Sequence, residues 1–199
     1  MSPRSTVRLA WPRIAALAIA LALGLSACAG TASSFDPTGA CVTDGIAPGA
    51  YPDLESRIPT RYEGKAPTTL DSGRHCTAAS LGSLAADGFT EIRFAGGTWD
   101  FGGNRAAALV VFRAPGLTPE AIARFYAESA RGANRTQVTG ESTATLAGRS
   151  VRRLDSTTGD RIQTVVVWPA TDPDVVNVVI TNDLPDPKIE AAVAAFDGP

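Results

Sequence analysis

The spacing of apolar residues changes several times along the 199-residue chain, and each change predicts a different element. Residues 14–25 are apolar throughout apart from Gly24. Residues 90–94 alternate, with Ile92 and Phe94 opposite Glu91 and Arg93, the pattern of a strand buried on one face. Residues 106–112 are continuously apolar, which predicts a strand buried on both faces. Between these strands, Gly96-Gly97 and Gly102-Gly103 bracket Thr98-Trp99-Asp100-Phe101 and read as turns.

Residues 117–132 carry the strongest helical signal. Thr118 can cap, Pro119 takes the first helical position, and Leu117 can staple onto Ile122. Ile122, Phe125, Tyr126 and Ala130 form the stripe, with the small Ser129 inside it, and Gly132 stops the helix. A shorter helix is expected over 80–87, with Leu81, Leu84 and Ala85 on one face. Residues 136–181 predict three or four strands. Gly159-Asp160 turns one hairpin, whose second strand is 162–168, and residues 171–174 turn the next into the very apolar 175–180. Asp186 is the expected cap of a last helix with Pro187 at its first position and Ile189, Val193 and Phe196 on its buried side. Residues 49–75 are rich in turns, with one extended piece expected near Ile58. The predicted class is α+β, an antiparallel sheet flanked by about three helices in an α/β sandwich, as one domain over 49–199.

The N-terminus adds a location. Arg4, Arg8 and Arg13 precede the apolar run, and Leu25-Ser26-Ala27-Cys28 follows it. A basic start, a short apolar stretch and small residues before a cleavage site describe a signal peptide over 1–27. The run is shorter than the ~20 residues a membrane-spanning helix needs. Leu-Ser-Ala-Cys resembles the lipobox of bacterial lipoproteins. The resemblance implies diacylglycerol on the Cys28 thiol and an acyl chain such as palmitate on its new amino group. Two or more acyl chains anchor stably where one does not. The membrane, reached through Cys28, is thus an expected partner, on the outer leaflet or on an outer membrane if the host has one. Residues 28–48 are small, polar and rich in Gly and Pro, and read as the lipidated cysteine and a flexible tether.

Composition narrows the chemistry. Of 18 basic residues three leave with the signal, so 15 face 20 acidic ones. An acidic body argues against nucleic acid as partner. Export leaves Cys41 and Cys76 in an oxidising setting, where a disulfide is expected; the alternative is a nucleophilic Cys76 thiol beside His75. A single histidine excludes a multi-histidine metal site, and no metal or cofactor is expected. No nucleophile elbow, phosphate loop or Cys-x-x-Cys pattern occurs. Asp172, Asp174, Asp183 and Asp186 read as turn and cap residues rather than calcium ligands. Arg149, Arg152, Arg153 and Arg161 can form a basic patch or a solvated hairpin surface. Phe94, Trp99 and Phe101 beside four glycines are a candidate ligand platform, with core packing as the alternative.

Over residues 105–197 the order strand, helix, strand meander, helix contains Leu146-Ala147-Gly148-Arg149, Gln163-Thr164-Val165-Val166-Val167 and Val178-Val179-Ile180-Thr181. This resembles the Mog1/PsbP-like group, which includes small bacterial lipoproteins, and implies an antiparallel sheet between helices and a binding or accessory role. The expected function is therefore a lipid-anchored, non-catalytic binding or accessory domain, taking an envelope protein or a small apolar or sugar ligand. The alternative is a cell-envelope hydrolase working through scattered carboxylates.

Overall fold

The computed structural model describes residues 35–197, so the expected signal peptide over 1–27 and Cys28 lie outside the described residues. Eight strands form one antiparallel sheet: β1 (Gly45–Ala47), β2 (Thr69–His75), β3 (Ile92–Asp100), β4 (Ala106–Arg113), β5 (Thr136–Leu146), β6 (Arg149–Thr158), β7 (Arg161–Pro169) and β8 (Val175–Asn182). Their spatial order is β1-β2-β3-β4-β8-β7-β6-β5. The chain builds β1 to β4 outward-in, crosses to the far edge, and returns as a four-stranded meander that closes β8 against β4. The helices are α1 (Pro52–Glu55), α2 (Ala78–Leu81), α3 (Ser83–Ala86), α4 (Pro119–Gly132) and α5 (Asp186–Ala194), followed by a 3₁₀ turn at Ala195–Asp197.

Burial follows position in the sheet. Central β8 buries every side chain from Val175 to Val179, and β4 exposes none of its residues, as continuous apolar runs require. Edge strand β5 is Thr- and Ser-rich and largely exposed. Alternation along the strands separates two cores. Ala107, Leu109 and Val111 of β4 join Trp99, Val166, Trp168, Ile189 and Val193 on one side. Phe112 joins Leu84, Ile122, Val165, Val167, Val176 and Val178 on the other.

Helix α4 forms as its sequence predicts: Thr118 Oγ1 accepts from the Ala121 N–H, Pro119 opens the helix, and Leu117 and Ile122 are both buried. Its buried face is Ala121, Ile122 and Ala127, with Phe125 and Tyr126 packed at the margin, whereas Ser129 is exposed. The Gly159 turn, the 171–174 turn and the strands they join also stand where expected.

Four expectations are corrected. The helix over 80–87 is broken at Gly82 into α2 and α3, and α1 adds a third short helix. No strand lies at Ile58; the extended segment is β2, whose Ser72, Gly73 and Arg74 are buried. Gly96 and Gly97 do not turn the chain but sit inside β3, because Trp99 folds its ring back over Gly97. A Cβ there would lie 2.9 Å from both that ring and Ile58. Asp186 lies inside α5 rather than capping it, and Pro185 holds the cap position.

The expectation of a flexible tether over 28–48 fails for its described part. Within 28–48, residues 35–47 pack on the domain. β1 pairs with β2, and the Phe35 ring lies against Tyr51 at 6.3 Å in an edge-on contact. Gly45 permits this, since a Cβ at that position would run into the Phe35 ring. Buried Arg74 donates to the carbonyls of Asp36, Gly39 and Ala40, and its guanidinium covers the Phe35 ring. Small polar composition reads as tether, but backbone carbonyls held by one buried guanidinium order it.

Candidate functional site

Cys41 and Cys76 form a disulfide, with Cα atoms 5.5 Å apart. Cys76 is therefore no thiolate nucleophile. Asp44 braces the bridge by accepting from the N–H groups of Cys76 and Thr77 and from the hydroxyls of Thr77 and Ser80. Burial pushes the Asp44 carboxyl up, but these bonds outweigh it and hold it well below the usual carboxylate range. His75 stacks on Phe94 at 4.7 Å, and its burial lowers its pKa against the opposing pull of Asp44. The histidine is an aromatic packing partner.

The aromatic platform is not assembled. Phe94 belongs to the α4-side core, while Trp99 and Phe101 belong to the opposite one. Trp99 is 1% exposed and donates from Nε1 to the Lys65 carbonyl. Phe101 is covered by Lys65 and Lys188, at 5.3 and 5.8 Å from its ring.

The arginines do not form a patch. Arg149 pairs with Asp197, Arg152 with Glu120, Arg153 with Asp155 and Asp186, and Arg161 with Asp183. Two of the four aspartates bond backbone, Asp174 accepting from the Gly116 N–H and Asp183 from the Ile162 N–H, whereas Asp172 and Asp186 pair with Arg57 and Arg153. Among the described residues no group of three or more His, Cys, Asp or Glu is placed to hold a metal ion.

Cavities among the described residues open on both faces of the sheet. A groove of about 470 Å³ runs between α4 and β5–β7, floored by Leu154, Val165 and Val167. Its charged rim is already neutralised: Arg152 by Glu120, Arg131 by Glu141 and Arg124 by Asp87. Glu120 is held below its usual pKa by its own backbone N–H at the start of α4 and by Arg152.

The second cavity, about 510 Å³, opens on the α5 side between the 56–60 segment, the ends of β7 and β8, and the 3₁₀ turn. Phe196 meets Trp168 edge-on at 5.2 Å, and the Arg149 guanidinium lies 5.8 Å from the Trp168 ring. Arg149 also donates to the Val193 carbonyl, tying α5 to the start of β6. Arg57 pairs with Asp172, but its buried Nε has no acceptor.

Asn177 stands out on this wall. It lies mid-strand in β8, paired across to Val111 and Trp168, and is 9% exposed. Its neighbours Val176 and Val178 face the other core, so its own side chain points into this cavity. The amide makes no hydrogen bond with any described residue. Its carboxamide is therefore free to pair with whatever enters the cavity, water or ligand. The residue was legible in principle, as the single polar position within Val-Val-Asn-Val-Val. No family model matches the chain, and no curated protein matches its sequence.

Proposed function

We propose that the chain is a lipid-anchored extracytoplasmic lipoprotein whose domain binds a small ligand in the cavity over Asn177, without transforming it. The observation that carries the binding reading is Asn177, 9% exposed, whose carboxamide faces an open cavity and bonds no described residue. Ligand sites combine apolar walls with a few placed polar groups, and this cavity has both. The anchor rests on the signal-peptide pattern and on the lipobox at Cys28. Only residues 29–34 separate Cys28 from Phe35, so a fully extended spacer reaches roughly 25 Å. The domain would work close to the bilayer.

The two apolar clusters support an α/β sandwich, and the strand, helix, meander and helix order after residue 105 agrees with the Mog1/PsbP-like resemblance. A carboxylate hydrolase needs one carboxyl kept protonated as general acid. Glu120, at the α4 groove, is driven the opposite way, and Asp71, which burial and Glu55 raise, lines neither that groove nor the Asn177 cavity.

Native mass spectrometry of the protein extracted from its own envelope tests both parts. The wild type is expected to carry the lipid mass and a dissociable small-molecule adduct. Cys28→Ala loses the first and Asn177→Leu the second. A Cys28→Ala chain that still carries the lipid would sink the anchor, and identical bare masses for wild type and Asn177→Leu would sink the ligand site.

A further inference from the structure

We propose that the cavity takes a neutral polyhydroxylated ligand, a sugar, held by two neighbouring hydroxyls on the Asn177 amide with its C–H face against Phe196. The proposal deepens the ligand-site reading above and rests on it. A purely apolar ligand would displace water and leave the Asn177 amide buried without any partner, the costliest arrangement. An anion would find no unpaired cation, because Arg57 and Arg149 already hold Asp172 and Asp197. A cation would meet those same neutral pairs. A carboxamide is different: it presents one acceptor and two donors side by side. Adjacent hydroxyls match it, one donating to Oδ1 and the next accepting from Nδ2.

The surroundings suit the same ligand. Phe196 is half-buried, and Trp168 fixes its ring edge-on at 5.2 Å. The electron-rich face of an aromatic ring attracts the C–H hydrogens of a pyranose. Ser56, Thr60 and Thr171 supply exposed hydroxyls at the rim for the outer hydroxyls of such a ligand. Ile58 and Pro59 supply apolar wall between them.

The test is ¹⁵N NMR of the lipidated chain in detergent micelles. The Asn177 side-chain NH₂ pair, identified by its loss in Asn177→Leu, and the Trp168 indole N–H are followed together. The probes are maltose, cellobiose and methyl mannoside, then trans-cyclohexane-1,2-diol against cyclohexanol, then decanoate and sodium phosphate. At least one sugar and the diol are expected to shift both signals, with cyclohexanol, decanoate and phosphate leaving them in place. Asn177→Leu should weaken the sugar at least about tenfold, since a site built to bond hydroxyls discriminates strongly. The diol and cyclohexanol comparison needs no variant, so it decides even if Asn177→Leu misfolds. Decanoate or phosphate moving Trp168 while every sugar and the diol fail would overturn the ligand class and keep the cavity. No probe moving either signal would overturn both.

Discussion

The two faces of the sheet bury apolar residues equally deeply but are covered by different means. On one face the fourteen-residue amphipathic helix α4 lays Ile122 and Ala127 onto Val165, Val167, Val176 and Val178, with Leu81 of α2 and Leu84 of α3 beside it. Its polar margin is closed by ion pairs to the neighbouring strands and to Asp87. On the other face the cover is assembled from α1, the chain through Ile58 and Tyr62, the nine residues of α5 and a 3₁₀ turn. Both faces keep an opening, about 470 Å³ beside α4 and about 510 Å³ here, but only the one between these short pieces has Asn177 on its wall. A patchwork leaves room for a ligand, and local opening there need not unfold the sheet.

The largest expected effect comes from cutting the continuous face. Ile122 is fully buried, so Ile122→Ala should cost about 3–4 kcal/mol in urea unfolding through lost transfer and an unfilled cavity. It should lower the protection of amides in β6, β7 and β8 together. Ile189, as deeply buried under α5, should on truncation expose α5 to hydrogen exchange before it exposes the central strands. Uniform loss of protection in both variants would erase the distinction between the faces.

These two faces differ in how far the sequence disclosed them. Helix α4 announced itself because cap, proline, staple and stripe are local signals that agree within sixteen residues. The meander was equally legible, since Gly159-Asp160 and residues 171–174 punctuate strongly apolar runs. The patchwork face was not. Its α1 is four residues long, too short for a period, and β2 mixes Asp71, Ser72, Gly73 and Arg74 in a strand whose burial comes from long-range partners. The misplaced aromatic platform had a readable flaw: in one uninterrupted strand, Phe94 and Trp99 fall on opposite faces by parity. Reading Gly96-Gly97 as a turn hid this. Residues 35–47 were misassigned because their order depends on Arg74 and a disulfide some 35 positions away.

That disulfide gives the next effect. It closes a 35-residue separation at the β1–β2 edge of the sheet, where β1 is only three residues long. Its loss in a Cys41→Ser/Cys76→Ser double variant should cost about 3 kcal/mol in the chain-entropy view. The damage should be directional. Proteolysis and hydrogen exchange should reach residues 35–47 first, while α4 and the meander keep their protection. Equal loss on the α4 face would mean that the sheet transmits the change and that the two sides are one cooperative unit.

The smallest effect belongs to the rim of the α4 groove, and its smallness carries the comparison. Glu120 and Arg152 are each about half exposed, so their attraction is screened and partly spent on holding two long side chains in place. Glu120→Gln should therefore change stability by no more than about 0.5 kcal/mol, even though it also removes a charge favoured at the helix start. Its sign with pH follows from the lowered pKa of Glu120: the contribution is present above the unfolded carboxyl pKa and fades as pH falls through the folded value. The stability difference between wild type and Glu120→Gln should thus shrink between pH 5 and pH 3. Binding at the Asn177 cavity should not move at all, because Glu120 lines the groove on the other side of the sheet. A measurable loss of ligand on Glu120→Gln would place the functional surface on the α4 face and make the Asn177 cavity a packing gap filled by water.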